Sequence, residues 1–330
     1  MNNVVSVIVP CYNGEKTIER CLESVYIQES TLPLELIVVD DGSTDGSSTI
    51  INKWEHRFFE KGYILKYVHQ NNMGPGAAIN TGLKYVTGKY LSLLDADDCF
   101  LQGSIVKRTI FLDNNPDYAG VRTNGWMDKQ GQQRLFDQAP DRTTNTNLFD
   151  GLIGGQATNW AGSYMIRTDV LFNFYPDREI YPSRFGQHMQ ILLPVAYKHK
   201  FGYIDEPLMI YYLQQTSHSQ AATPQEQLKK NDLNFYGYQD IYRHVISQVV
   251  KDDKERDYYL NIVDSWKYKH ELNKAILKKD KQSMYYFYKA YLETGRVTLN
   301  DKIEFYSVSQ PLIAIILKIY RKIYSVLLRI

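Results

Sequence analysis

The chain lacks the loops that most often cradle a pyrophosphate. No G-x-G-x-x-G follows its first apolar segment, where the turn Pro10-Cys11-Tyr12-Asn13-Gly14 holds a single glycine, and G-x-x-x-x-G-K-[ST] occurs nowhere. The common dinucleotide and Walker-type phosphate sites are thereby excluded. Cysteine is scarce: Cys11, Cys21 and Cys99 have no metal-ligand spacing and form no even set, which fits unpaired thiols in a reducing compartment. Net charge is only +1, which argues against bulk nucleic-acid affinity, and no nucleic-acid partner is expected. Met1-Asn2-Asn3-Val4 shows no basic region leading into an apolar stretch, so no export signal is expected.

What is present is an alternation of strands and helices. Val4 to Pro10 is a β-branched apolar run ended by proline, and Glu15 to Gln28 places Ile18, Cys21, Leu22, Val25 and Tyr26 at a helical period. Leu34 to Val39 predicts a second strand that ends in Asp40-Asp41-Gly42-Ser43-Thr44-Asp45, with Ser43 or Thr44 able to cap a helix over 46–61. A strand over 64–69, the turn Asn71 to Gly76 and a helix over 77–86 follow. A fourth strand, Tyr90 to Leu94, then delivers Asp95-Ala96-Asp97-Asp98. Such alternation predicts a doubly wound parallel sheet, which binds ligands outside the carboxyl ends of its strands. Every polar cluster named so far falls at such an end, so the pattern reads as a nucleotide site.

Three carboxylates within four positions repel one another and are tolerated best where water or a divalent cation offsets their charge. A helix N-cap needs only one of them. With the phosphate loops absent, Mn²⁺ or Mg²⁺ held by this cluster is the natural counter-charge for a pyrophosphate.

The segments Val5 to Asn13, Val38 to Asp45, Asn72-Met73-Gly74 and Leu94 to Asp98 resemble, in order and spacing, family 2 glycosyltransferases of the GT-A fold. The resemblance covers about residues 3–215. It implies an α/β fold, a GT-A-type doubly wound mixed sheet with a nucleotide-sugar-binding half (1–100) and an acceptor half (101–222). It also implies inverting transfer from a nucleotide-sugar, most often UDP-linked. By position, Pro10 and Tyr12 would lie against the base and Asp41 would accept from the uracil N–H. The loop from Asn72 through Gly76 to Asn80 would line the ribose side. Asp95 and Ala96 would meet ribose or metal, and Asp97 would hold the metal. Asp98 is either a second metal ligand or a helix cap. Tyr12 offers a stacking face but can equally be a half-buried turn residue, and Asp40 reads as the residue that braces the turn aiming Asp41.

The acceptor half is less regular. Trp160 is a stacking platform or a core tryptophan. Family members usually carry Glu-Asp where this chain has Gln187-His188, with the Asp as general base. His188 can take that role, having an ordinary pKa near working pH, and Asp177, Glu179 and Asp128 are its rivals. Gln187 falls to the acceptor side, while Arg178 and Arg184 are either phosphate-binding or solvated loop charges. His218, after the closing strand, would approach the diphosphate or metal. The missing Glu-Asp pair keeps a non-catalytic nucleotide-sugar-binding protein open. A sugar nucleotidyltransferase is also open, although it would want a Gly-rich basic loop after the first strand.

Residues 223–302 read as a helical appendage without site motifs. Residues 303–330 end in a segment, 312–329, that has no acidic residue and carries Lys318, Arg321, Lys322 and Arg329 at offsets of three, four and seven. Charges in mid-segment disfavour a bilayer span, and a basic amphipathic helix in the membrane interface fits better than a core or dimer helix. The expected function is transfer of a hexose or N-acetylhexosamine to a glycan or lipid-linked glycan acceptor during surface polysaccharide synthesis. The enzyme would be cytoplasmic, peripheral on the inner face of the membrane.

Overall fold

A computed structural model describes residues 1–136, 147–157, 159–213 and 223–327. The first strands, β1 (Asn2–Cys11), β2 (Leu34–Asp41), β3 (Ile64–Gln70) and β4 (Gly88–Leu93), alternate with α1 (Ile18–Tyr26), α2 (Ser47–Glu60) and α3 (Pro75–Leu83). They pair in parallel in the order β3-β2-β1-β4. Every residue of β2 is buried, and β1 is buried from Val5 to Val9, as strands covered on both faces require. Val5, Val7, Val9, Leu36 and Val38 share a core with Ile18, Leu22 and Val25 of α1 and Ile51, Trp54 and Phe58 of α2.

The chain continues through β5 (Cys99–Phe100), α4 (Ser104–Asn114), β6 (Tyr118–Lys129), β7 (Gln132–Leu135), α5 (Leu148–Ile153), β8 (Tyr164–Arg167), α6 (Thr168–Phe174), α7 (Gln187–Ala196) and β9 (Lys200–Tyr212). β8 runs antiparallel between β4 and β6, and β9 lies parallel to β6 and antiparallel to β5. The result is one nine-stranded mixed sheet with β7 paired to β6. Because β8 is antiparallel to β4, its first residue, Tyr164, sits at the carboxyl end of β4.

Two compact units divide the chain, Met1–Val245 and Ile246–Ile330. The division falls inside α8 (Pro224–Val249), whose first part packs on the sheet unit. Gly237 has no Cβ and lets the Phe185 ring lie on the helix backbone; a Cβ there would come within 2.2 Å of the ring. Ile241 packs on Gly186, and the His244 ring stacks on Tyr181 at 4.5 Å. The second unit holds α9 (Asp253–Lys278), α10 (Lys281–Glu293), α11 (Leu299–Ser309) and α12 (Pro311–Leu327). The side chains of Asp252, Asp280 and Thr298 cap the first three of these. Its core gathers Leu272, Met284 and Tyr291, with Tyr288 stacked on Phe305 at 3.8 Å.

Candidate active site

The turns after β1 and β2 hold each other. Asn13 donates its backbone N–H to the Ser43 hydroxyl and accepts from the Thr44 N–H through its side-chain carbonyl. Gly14 N–H reaches the Ser47 hydroxyl, and Glu15 N–H reaches Asp45. Ser43 and Thr44 therefore do not cap α2. The N-cap of that helix is Gly46, without a side-chain hydrogen bond, and Asp45 accepts from the Ser47 N–H instead. Between these turns Tyr12 projects a 46% exposed ring, flanked by the half-buried Pro10. Asp40 accepts from Ser43 N–H and Tyr67 hydroxyl, the bracing role expected of it.

Asp41 is nearly buried and already occupied. Its Oδ1 accepts from Gln70 Nε2 at 2.7 Å and Met73 N–H at 2.9 Å, and its Oδ2 accepts from Gly74 N–H at 2.8 Å. The carboxylate thus folds the 70–74 loop over the end of β2 and leaves little capacity for a base. Asn72 is exposed at the tip of this loop, its backbone passing over Gly42. Gly42 has φ of +77° and a Cβ would meet Asn72 N at 2.8 Å, so both conformation and space demand glycine.

Gly76 and Asn80 turn out to serve another segment. Residues 178–184 run back along α3 from its end to its start. Arg178 donates to the carbonyls of Leu83, Lys84 and Val86, and Asn80 pairs both ways with the Ile180 backbone at 2.9 and 2.8 Å. Ser183 crosses Gly76, and the Arg184 stem crosses Gly74. Asn80 is therefore spent on this strap rather than on a ribose, and Gly76 is small because a backbone passes over it. A Cβ at Gly76 would stand 2.4 Å from the Ser183 carbonyl oxygen. Gly76→Ala is expected to destabilise the chain by roughly 1–3 kcal/mol, as overpacking against backbone does. The check is a denaturant titration; an unchanged midpoint would show that the strap can lift away at no cost.

The strap also decides the fate of Asp177 and Glu179. Both are exposed beside the carboxyl end of α3, where Glu179 pairs with Lys84 at 3.1 Å. That end lies just ahead of the first residue of β4, at the opposite edge of the sheet from Asp95. Neither is placed to act as a base. Asp128 is likewise committed, accepting from Gly131 N–H and Gln133 Nε2 in the β6–β7 hairpin. The strap instead delivers Gly186, with φ of +58°, and then Gln187 and His188 at the start of α7.

His188 comes to the carboxyl end of β4. Its backbone carbonyl accepts from the Tyr164 hydroxyl at 3.4 Å, and its ring meets Tyr238 of α8 edge-on at 6.4 Å. The residue keeps some solvent exposure, yet its imidazole lies deep among protein atoms, and that burial pushes its pKa down to about 4. Gln187 is half-buried beside it. Below lies the turn Asp95-Ala96-Asp97-Asp98, closed by Asp98 N–H to the Asp95 carbonyl at 3.0 Å. Arg20 donates to the Asp97 carbonyl at 2.7 Å while its guanidinium lies 3.6 Å over the Tyr212 ring. Asp98 is fully buried: its Oδ1 accepts from Tyr212 N–H at 3.0 Å, and its Oδ2 has no hydrogen-bond partner among the described residues. Burial, then Asp97, raises Asp95 to about 7, and burial with both neighbours raises Asp98 well above the usual range.

An orphaned buried carboxylate oxygen beside two mutually repelling carboxylates is a deficit of positive charge, and a divalent cation fits it. Among the described residues no three His, Cys, Asp or Glu side chains form a ready cage. A cation here would take its remaining ligands from a diphosphate and water.

Three tyrosines frame the cluster. Burial and Asp95 raise the hydroxyl pKa of both Tyr164 and Tyr238, and Tyr211 is pushed up to about 12 by burial and then by Asp98, Asp97 and Asp95. Beside Tyr164, Arg108, a fully buried cation, donates to the Gly162 carbonyl at 2.6 Å and to the Ser92 hydroxyl, which in turn donates to the Tyr164 carbonyl. Tyr238 lies in the stretch that reads as a motif-free appendage, and no local pattern marks it. Its one signal is the Tyr238, Ile241, Tyr242, Val245 spacing of a buried helical stripe. Trp160 gives one face to Phe136 at 4.0 Å and stays half-buried, so its free surface is limited. His218 lies outside the described residues.

A nucleotide-type half-sheet of parallel strands, carboxylates beyond β4 and an antiparallel β8 bringing the acceptor side alongside define a GT-A-type glycosyltransferase fold. The chain matches the family described as Glycosyl transferase family 2 over residues 6–180, and it belongs to that family. It is 30% identical over 206 residues to an uncharacterised glycosyltransferase of Rickettsia felis, covering 62% of this chain and 32% of that protein. A poly(ribitol-phosphate) beta-glucosyltransferase of Bacillus spizizenii is 38% identical over 97 residues, 28% of this chain and 15% of that one. The chain thus spans about a third or less of the length of these relatives. Among solved structures it resembles S. aureus TarS 1-349, with a TM-score of 0.56 and 19% identity over 92% of this chain and 80% of that chain. The mannosyltransferase PcManGT from Pyrobaculum calidifontis, in complex with GDP-Man and Mn²⁺, gives 0.51 and 15% over 96% and 82%. Identities this low speak to the fold alone.

Proposed function

We propose that the chain transfers a hexose or N-acetylhexosamine from a UDP-sugar to a hydroxyl of a glycan or lipid-linked glycan, with inversion at the anomeric carbon. The observation that carries this reading is the Asp95–Asp98 turn, three carboxylates with one buried oxygen unpartnered among the described residues, at the strand end where a diphosphate would lie. A TarS structure contains UDP-GlcNAc, which favours a uridine donor over the GDP-Man of PcManGT. A Mn²⁺ or Mg²⁺ held by Asp97 and Asp98 would supply Lewis-acid stabilisation of the departing nucleoside diphosphate. Tyr12 offers the base a flat face, and Asp41 shapes the loop beside it. Asp95 and the nearby Tyr238 would border the sugar, and Gln187 with half-buried Trp160 would border the acceptor.

His188 would take the acceptor hydroxyl's proton. With its pKa near 4 it is neutral at working pH and has an open nitrogen, though it is a weaker base than an ordinary imidazole. The unfolded chain binds a proton at His188 below its ordinary value of 6.5, which the folded chain refuses until about 4. Between those values this group makes stability fall as pH falls, and above them it costs nothing. Asp95 works oppositely: its folded value of about 7 exceeds the ordinary 3.8, so its contribution is lost as pH rises through that range. A site-resolved titration therefore tells more than a melting curve. The His188 imidazole is expected to stay neutral at about pH 5.5 when followed by NMR, with His188→Gln used to assign its signal. A midpoint near the ordinary value would remove the buried-base reading.

Nucleotide release from UDP-GlcNAc, UDP-glucose and GDP-mannose with Mn²⁺, with and without glycan acceptors, tests the whole proposal. UDP release stimulated by acceptor is expected. Tight UDP binding without turnover across the panel would favour the non-catalytic nucleotide-sugar-binding alternative.

A further inference from the structure

The catalytic reading leaves α12 unused, and its exposed face is the strongest unexplained surface of the chain. Leu312, Ile315, Ile316 and Ile319 are 78%, 53%, 64% and 56% exposed, at offsets that place them on one side of the helix. Ala314, on the other side, is buried within the second unit. Four large aliphatics side by side on one helix are more than the scattered apolar residues any surface carries. The described part of the second unit packs α12 against α11 and leaves this stripe uncovered.

Charge separates the partners such a stripe could take. After Glu304 the sequence has no Asp or Glu, while Lys318, Arg321, Lys322 and Arg329 are all cationic, and Lys318 is exposed beside the stripe. A second copy docking stripe to stripe would bring the Lys318 of each copy toward the contact with no carboxylate from the same segment to pair it. A bilayer surface containing anionic phospholipid satisfies both features, taking the aliphatics into the acyl boundary and the cations at the phosphates. No helix among the described residues is long and apolar enough to cross a membrane, so the contact is one of lying on the surface.

We propose that α12 is a membrane-surface anchor that docks on anionic phospholipid through Leu312, Ile315, Ile316 and Ile319, with the Lys318 cation beside them and a segment free of Asp and Glu. The anchor is independent of the transfer reaction, and it would bring the chain to the surface where a lipid-linked acceptor is confined.

The test is flotation of the whole chain with vesicles of phosphatidylglycerol and phosphatidylcholine in equal parts, and with pure phosphatidylcholine. Binding to the anionic vesicles is expected, roughly tenfold weaker on the neutral ones and reduced by high salt. Ile315→Glu combined with Ile316→Glu should cut the bound fraction by roughly tenfold, and Lys318→Glu by less. Both sites are exposed, so an unchanged melting temperature is expected and shows that the fold is kept. Wild-type chain that fails to float with anionic vesicles overturns the proposal, as does a double variant that floats like wild type. So does a lipid-free dimer, seen in sedimentation, that the double variant dissociates. UDP titration on the same samples reports the donor site separately, so failure of the transferase reading and failure of the anchor are told apart.

Discussion

Asp97→Asn is expected to lower Mn²⁺-dependent donor turnover by on the order of a thousandfold, about 4 kcal/mol of transition-state stabilisation. The substitution keeps the shape of the side chain and removes one of three carboxylates. Its backbone stays held by Arg20, whose bond is to the Asp97 carbonyl rather than the carboxylate. The turn should therefore keep its geometry while losing its grip on a cation. Stability should move the other way. Asp95 is raised to about 7 partly by Asp97, and Asp98 is raised by both, so neutralising Asp97 relieves repulsion in the metal-free chain. A melting temperature equal to or above wild type, alongside lost turnover, marks a site that trades stability for chemistry. UDP release and a melting curve in chelator measure the two. Turnover within a few-fold of wild type would remove Asp97 from the metal role.

Asp41→Asn should cost roughly 1–3 kcal/mol of stability and weaken nucleotide binding by about tenfold or more. Both carboxylate oxygens accept, from Gln70 and Met73 on one side and Gly74 on the other. An amide in this place must turn an N–H toward one of these donors, and the residue is too buried for water to rescue it. The 70–74 loop then loosens at the point where it passes over Gly42 and starts α3. The pattern across nucleotides decides what Asp41 does. A loop anchor weakens UDP and GDP alike, whereas a direct contact to the base would lose uridine selectively. Calorimetric titration with both nucleotides gives the answer, and a variant that melts and binds like wild type would contradict the anchoring role.

Much of the nucleotide half was legible because its signals are local. Buried parallel strands are uniformly apolar over a few residues, so Val5 to Val9, Leu34 to Val39 and Tyr90 to Leu93 announce themselves, and the polar turns between them fall at one edge of the sheet. The ends of helices were less legible. Ser43 and Thr44 look like caps in isolation, but the neighbouring turn at Asn13 competes for them and wins. Assignments that rested on residues distant in the chain fared worst. Asn80 and Gly76 sit at the expected place in the first half, yet the segment that claims them arrives a hundred positions later at Ile180 and Ser183. Asp177 and Glu179 are near His188 in sequence and at the other edge of the sheet in space. The strap along α3 separates them.

From the order of its residues alone, this chain is an α/β protein with paired acidic turns at strand ends, in a family 2 pattern, lacking the usual Glu-Asp pair. Short-range hydrophobic period and turn chemistry suffice for that. Only the folded chain decides that Asp41 is occupied by its own loop and that one oxygen of Asp98 is buried without a partner among the described residues. Only there does Tyr238, from a helix with no motif, stand over His188. Each of these depends on which distant segment covers which surface, and packing between elements settles that, not the propensity of either one.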